Sequence, residues 1–301
     1  MTEQHIFSYN REKYPDIYES INADIDRFDA TQKEVLDLLI EMLLSVDPNL
    51  QKSSEVLTLH HLLAKVRFNL EAAHHLIQWL KEDYRFKTSV NLLYRAILGD
   101  MISSIYLMSW FDHTQDEQPY MNAELDIMHK DFLVKITKLI EAEKQYKNYG
   151  QDGENYMTEF IDANPTLYDF QNSKWMSASQ IRAKTDGKFK IDPGLNTLTE
   201  TGKIEHIHAS NLVHGHQVSV AFTYLSQFQH FTPKMHDFLL NDASGEIEYY
   251  EITLSLVLVN CDYLSQVLTL HNKEYLRTRL KEIEARYKEY LDSEHLATNL
   301  Q

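Results

Sequence analysis

Two stretches of this sequence put chemically capable side chains where a helix should bury them. The first is NLLYRAILGDMISSIYL, with Arg95 and Asp100 among Leu92, Leu93, Ile97, Leu98, Met101 and Ile102. A lone charge is costly to desolvate, so each of the two is either paired or functional. Five helical residues turn a side chain by about 140° from its neighbour, so the two are not expected to pair with each other. Each needs a partner on another helix. A structural ion pair that fixes helix register and a functional cleft both satisfy that need. Gly99 leaves room for a backbone, a ligand or a kink beside Asp100.

The second stretch is IEHIHASNLVHGHQVS, which holds His206, His208, His214 and His216 with Ser210 and Asn211 between them. Neutral imidazole is a common metal ligand. Two-residue spacing, however, sets helical partners about 200° apart. Zinc-binding helices use separations of three or four, and no second ligand cluster accompanies these histidines. No metal and no cofactor are expected. Ser210 and His214 are four apart and share a helix face, so a hydroxyl-held histidine could serve as acid or base. The plainer alternative is a helix end with a polar cap at Gly215. A third set, His60, Arg67 and His74, recurs by sevens along one flank of an apolar stripe. Its ordinary reading is a solvated or half-buried helix flank.

Two resemblances follow from these residues. Arg67 and His74, six residues between them, resemble the Arg-x(4–6)-His spacing of the HEPN ribonucleases, in which an arginine and a histidine side by side work on the RNA phosphodiester. That resemblance implies a metal-independent ribonuclease using Arg67 and His74. In addition, LLYRAILGD (Leu92–Asp100), KWMS (Lys174–Ser177) and SNLVHG (Ser210–Gly215) together resemble a bacterial all-helical family of unknown function. There a helix bearing Arg and then an acid is followed by a Trp segment and a Ser-x-x-x-His helix end. This implies an all-α fold and a polar pocket shared by Arg95, Trp175, Ser210 and His214, and no established activity. Distant kinship with HEPN-like domains would imply nucleotide or RNA handling in toxin–antitoxin or phage-defence settings, an analogy of fold.

The elements that must position these groups read as helices. Asp29–Ser45 is amphipathic, with Asp29 as its cap. The clearest helix runs from Ser53 or Ser54 to Asp83, with Val56, Leu59, Leu63, Val66, Leu70, Ala73, Ile77 and Leu80 in one stripe. Thr88–Phe111 is apolar nearly all round. Ala123–Tyr149 is charged outside Leu125, Met128, Phe132, Ile136, Leu139 and Ile140. Residues 155–202 read as short helices and loops, and Asn196 to about His214 as a helix. HQVSVAFTYLSQF alternates like a strand over Val218, Val220 and Phe222, but no partner strand is evident, so it is assigned as helix. Glu246–Leu270 reads as buried and Lys273–Leu291 as exposed.

Bulk composition agrees. The 301 residues include 8 glycines and 6 prolines, too few for the tight turns of sandwiches, barrels or Gly-rich nucleotide folds. The expectation is an all-α bundle of about 7–10 helices with a loop-rich segment around residues 150–200. It is read as one domain over 1–301, with a possible subdivision into 1–150, 151–205 and 206–301. Lys+Arg is 29 against Asp+Glu 45, a formal charge of -16. That acidity argues against non-specific nucleic-acid binding, which needs clustered cations. The most apolar stretches, Ser89–Phe111 and Ile252–Leu270, carry charged or polar residues that oppose membrane insertion. One cysteine, Cys261, and an N-terminal stretch without a signal-like apolar core point to the cytoplasm.

Functionally, Arg95 and His214 are expected to converge in one polar cleft, with Asp100, Ser210, His208, Asn211, His216 and Trp175 contributing to ligand binding. The first reading is a ligand-binding or regulatory module for an anionic small molecule, a nucleotide or a partner's segment. The second is a HEPN-like ribonuclease or nucleotide-transfer enzyme, and the third a structural or homodimerising protein whose buried charges fix register.

Overall fold

Pro15 opens the first helix, because a proline in the first turn lacks only an N–H that would have no helical acceptor. In the computed structural model, which describes residues 13–47, 54–83, 86–111, 118–147, 150–185, 199–229, 244–268 and 270–298, α1 spans Pro15–Ser45, with Asp16 in its first turn. Asp29 therefore lies inside a helix and caps nothing. Ile21, Ile25 and Phe28 carry the buried stripe back toward the N-terminus in steps of four and three.

Ten α-helices, three short 3-10 segments and one short hairpin are the regular elements of the described residues, as the all-α reading requires. They form two compact units. Unit 1 combines residues 1–106 and 200–301, and unit 2 is 107–199. These limits differ from the composition-based divisions at 150 and 205.

Unit 1 continues with α2, Ser54–Ile77, extended by a 3-10 turn over Gln78–Lys81. Its stripe of Leu59, Leu63, Val66, Leu70, Ala73, Ile77 and Leu80 is fully buried, as the periodicity predicts. It packs on α1, where the buried Gln32 donates its Nε2 proton to the Leu70 carbonyl at 3.1 Å. Helix α3, Lys87–Met108, buries Tyr94 against Tyr250 of a later helix, their rings stacked with centroids 4.2 Å apart. Phe28 tilts against both rings. The Tyr250 hydroxyl donates to Asn91 Oδ1 at 2.5 Å, and Ser104 donates to Asn260 at 2.7 Å. Such bonds offset the desolvation of polar groups in the core.

A buried ion pair sits in the same unit. Lys87 Nζ is 3.3 Å from Glu246, and Tyr224 donates its hydroxyl to the same carboxylate at 2.7 Å. Burial pushes the Glu246 carboxyl above its ordinary pKa, against the opposing pull of Lys87 and Tyr224.

Among its described residues, the helix expected from Asn196 to about His214 stops short of that end, and a separate helix follows. Helix α7 is Glu200–Ala209 and α8 is Gly215–Ser226. Asn211 adopts φ 55°, the left-handed region that favours Gly or Asn at a helix end. The Asn211 N–H reaches the His208 carbonyl at 2.9 Å and the Leu212 N–H reaches the Ile207 carbonyl at 3.1 Å. These are the two bonds of a Schellman stop, and they end α7 at Ala209, six positions before Gly215. HQVSVAFTYLSQF is helical, so no strand competes there.

Helix α9, Ser244–Val267, packs on α1 and α8, and α10, Lys273–Thr298, packs on α1 and α9. The outer helix α10 is not wholly exposed: Leu276, Leu280, Ile283 and Tyr287 bury one stripe. Beside that stripe, α10 is tied to α1 by Arg279–Glu41 and Arg286–Glu34.

Unit 2 holds α4 (Pro119–Lys147), α5 (Gly150–Ala163), an antiparallel hairpin of β1 (Tyr168–Asp169) and β2 (Lys174–Trp175), and α6 (Ala178–Arg182). The segment around 150–200 thus opens on a regular helix; its residues 186–198 lie outside the described set. Ala123, Ile127, Leu133, Leu167 and Ile181 form the core. On α4 the expected apolar positions are not the buried ones, since Phe132 and Leu139 are exposed. Among the described residues, no helix is long and apolar enough to cross a membrane.

Candidate functional site

Arg95 projects from α3 toward the last turn of α8. Its Nε donates to Ser226 Oγ at 2.7 Å, and its guanidinium carbon lies 3.6 Å from the centroid of the Phe222 ring. Phe222 and Ser226 are one helical turn apart, so a single face of α8 supplies both the platform and the hydrogen bond. The Ser226 hydroxyl is itself oriented by donating to the Phe222 carbonyl at 2.6 Å. Gly99, four residues after Arg95, makes room for the fork: a Cβ there would sit 3.0 Å from the guanidinium Nη1.

The guanidinium is therefore fixed by two contacts, with Gly99 leaving it room. Among the described residues it forms no ion pair. Burial pulls its pKa below the ordinary arginine value, against the more distant negative charges of Glu200 and Asp100. Asp100 does find a partner on another helix, as expected: Lys65 Nζ of α2 at 2.8 Å from Oδ1. Its Oδ2 is buried and accepts no hydrogen bond among the described residues. Burial raises the Asp100 pKa, opposed by Lys65, Arg95 and Lys203. Arg95 and Asp100 do not pair with each other.

Arg95 and His214 do not meet. His214 is the N-cap residue of α8, whereas Arg95 engages Phe222 and Ser226 at the opposite end. From His214 to Ser226 the helix rises by about 18 Å. Nor does Ser210 hold His214: the Schellman stop puts them in different elements, and the Ser210 hydroxyl donates to the His206 carbonyl at 3.0 Å.

The histidine segment instead shapes a second feature. A depression of about 510 Å³ lies between the α7–α8 corner and α9, with His208, Asn211, His214 and Gln217 among its polar lining and Ile252 and Leu256 among its apolar one. Gly215 fixes the corner, because a Cβ on it would fall 2.4 Å from His208 Cβ. The Gly215 N–H points to His208 Nδ1 at 3.4 Å. His216 is exposed and outside this lining. His206 turns away to make an edge contact with Tyr106. No group of three or more His, Cys, Asp or Glu suited to a metal occurs among the described residues.

Trp175 belongs to unit 2. Its indole N–H donates to Thr137 at 3.2 Å and its ring meets Tyr168 edge-on, alongside the unit's core. Arg67 and His74 are each engaged by a separate carboxylate. Arg67 pairs with Glu71 at 3.1 Å, and His74 Nδ1 lies 2.6 Å from Asp29, which also accepts from Gln78.

Ser226 and Lys65 were not singled out in the sequence, and Phe222 only as a member of an alternating apolar run. Ser226 lies 131 positions from Arg95, and no local spacing rule links residues so far apart. Comparisons with protein-family models, with curated proteins and with solved structures find no match to this chain.

Proposed function

We propose that this chain is a helical ligand-binding module whose Arg95 receives the anionic group of a small molecule. The observation that carries this reading is the half-buried guanidinium, fixed by Ser226 and Phe222, with no carboxylate paired to it among the described residues. Arginine offers a planar fork suited to phosphate or carboxylate. Stacking and the Nε bond supply the ordering in advance, so less affinity is lost to immobilising the side chain. The alternative ribonuclease reading has less in its favour, because Arg67 and His74 each already serve a neighbouring carboxylate. The single thiol, buried in α9, suits a reducing cytoplasmic setting.

The test is thermal melting of the full chain with inorganic phosphate and, separately, a nucleoside monophosphate. A ligand bound only by the folded state stabilises it by about 2.7 kcal/mol at 100 times its Kd. The expected result is a rise in Tm with at least one anion, abolished by Arg95→Met, a variant that keeps an apolar stem over Phe222. No rise with either anion, or a rise that survives in a folded Arg95→Met protein, overturns the reading.

A further inference from the structure

Helix α2 carries a second stripe, on the side opposite its buried one. Leu57, Phe68 and Trp79 are 46%, 61% and 52% exposed. Between them lie His61, Ala64, Ala72 and His75, exposed or half-buried. Phe68 lies beneath the Arg67 guanidinium and Trp79 beside the Phe86 ring, yet both rings stay more than half exposed on one apolar face, the kind of surface that a partner covers.

The order of this stripe is symmetric about Phe68. Ala64 and Ala72 stand four residues to either side, His61 and His75 seven, and Leu57 and Trp79 eleven. Steps of four, three and four keep one helix face. Trp79 lies on the 3-10 turn that continues α2. If two copies of α2 cross antiparallel about a two-fold axis at Phe68, each residue faces its mirror position. Phenylalanine then meets phenylalanine, alanine meets alanine, histidine meets histidine, and leucine meets tryptophan. That is the self-complementarity an isologous interface demands. The small alanines on either side of the central ring let the backbones approach.

Charge does not oppose this pairing. Lys65 and Glu71 stand three residues to either side of Phe68, one on each flank of the stripe. Both now have neighbours within their own chain, Asp100 and Arg67, but Lys65 remains 59% and Glu71 37% exposed. Leu57–Trp79 contains only Lys65, Arg67 and Glu71 as full charges, on a chain of net charge -16. Two such acidic molecules repel over most of their surface and are not repelled here. We infer that the outer face of α2 is a homodimer interface, pairing antiparallel with a second copy of this chain about Phe68. This inference does not depend on the Arg95 reading.

Sedimentation equilibrium of the full chain tests it. The expected mass is that of a dimer, and Phe68→Glu, which sets two carboxylates face to face on the axis, yields a monomer with unchanged helical circular dichroism. Register is read by cross-linking: Ala64→Cys and Ala72→Cys proteins form a disulfide when mixed and oxidised, and neither does so alone. The native Cys261 is buried and does not interfere. A monomeric wild type, a dimer untouched by Phe68→Glu, or a disulfide in Ala64→Cys alone overturns the inference.

Discussion

Gly99 and Gly215 look alike in sequence, each next to a polar residue of interest, yet what surrounds them differs. At Gly99 the nearest obstacle to a Cβ is the tip of a long side chain, Arg95 Nη1 at 3.0 Å. A guanidinium can swing away, and alanine is the better helix former by about 0.5–1 kcal/mol. Gly99→Ala is therefore expected to leave stability unchanged or raised while displacing the fork and weakening anion binding. At Gly215 the obstacle is His208 Cβ at 2.4 Å, which is held by the backbone of α7. Gly215→Ala is expected to cost about 1–3 kcal/mol, the range of an overpacked core. Chemical denaturation of the two variants, with phosphate titration of the first, separates these outcomes.

At the scale of an element, the end of α7 is set by one residue. Asn211 occupies the left-handed region at φ 55°. Asn211→Gly should change stability by only a few tenths of a kcal/mol, whereas Asn211→Val should cost about 1–2 kcal/mol, because a branched side chain clashes there. The melting temperatures of the two variants check this. The example also marks what could be read in advance. The buried stripe of α2 was legible because seven positions repeat one period without interruption. The all-helical class was legible from scarce glycine and proline. The break at Asn211 was not read, although Asn is a residue that stops helices, because apolar and polar positions continue a helical period across it. The start of α1 is signalled by Pro15-Asp16, but Asp24, Asp26, Arg27 and Asp29 interrupt the apolar period there and offer Asp29 as a second capping residue. Arg95 and Asp100 were recognised as needing partners on other helices, and each has one. Which helices supply them depends on tertiary packing, which no spacing along the chain encodes.

For the molecule as a whole, two cores imply two places where stability can fail. In unit 2, Arg182 clasps the buried Glu124 with both arms, Nε at 2.6 Å from Oε1 and Nη2 at 2.9 Å from Oε2. Glu124→Ala leaves that guanidinium without its counter-charge and should cost about 3–5 kcal/mol. Hydrogen exchange read by mass spectrometry should then show faster exchange across residues 118–185 while the amides of α9 keep their protection. Equal loss in both would mean that the two cores open together. Unit 1 has a different vulnerability, in time rather than in space. Its Phe28 and Tyr94 are made early by the ribosome, but the Tyr250 ring that completes their cluster is translated only after the whole of unit 2 has emerged. Until then the newborn chain must carry an unfinished apolar surface, so the protein's yield in a cell should depend on whatever shields that surface during synthesis.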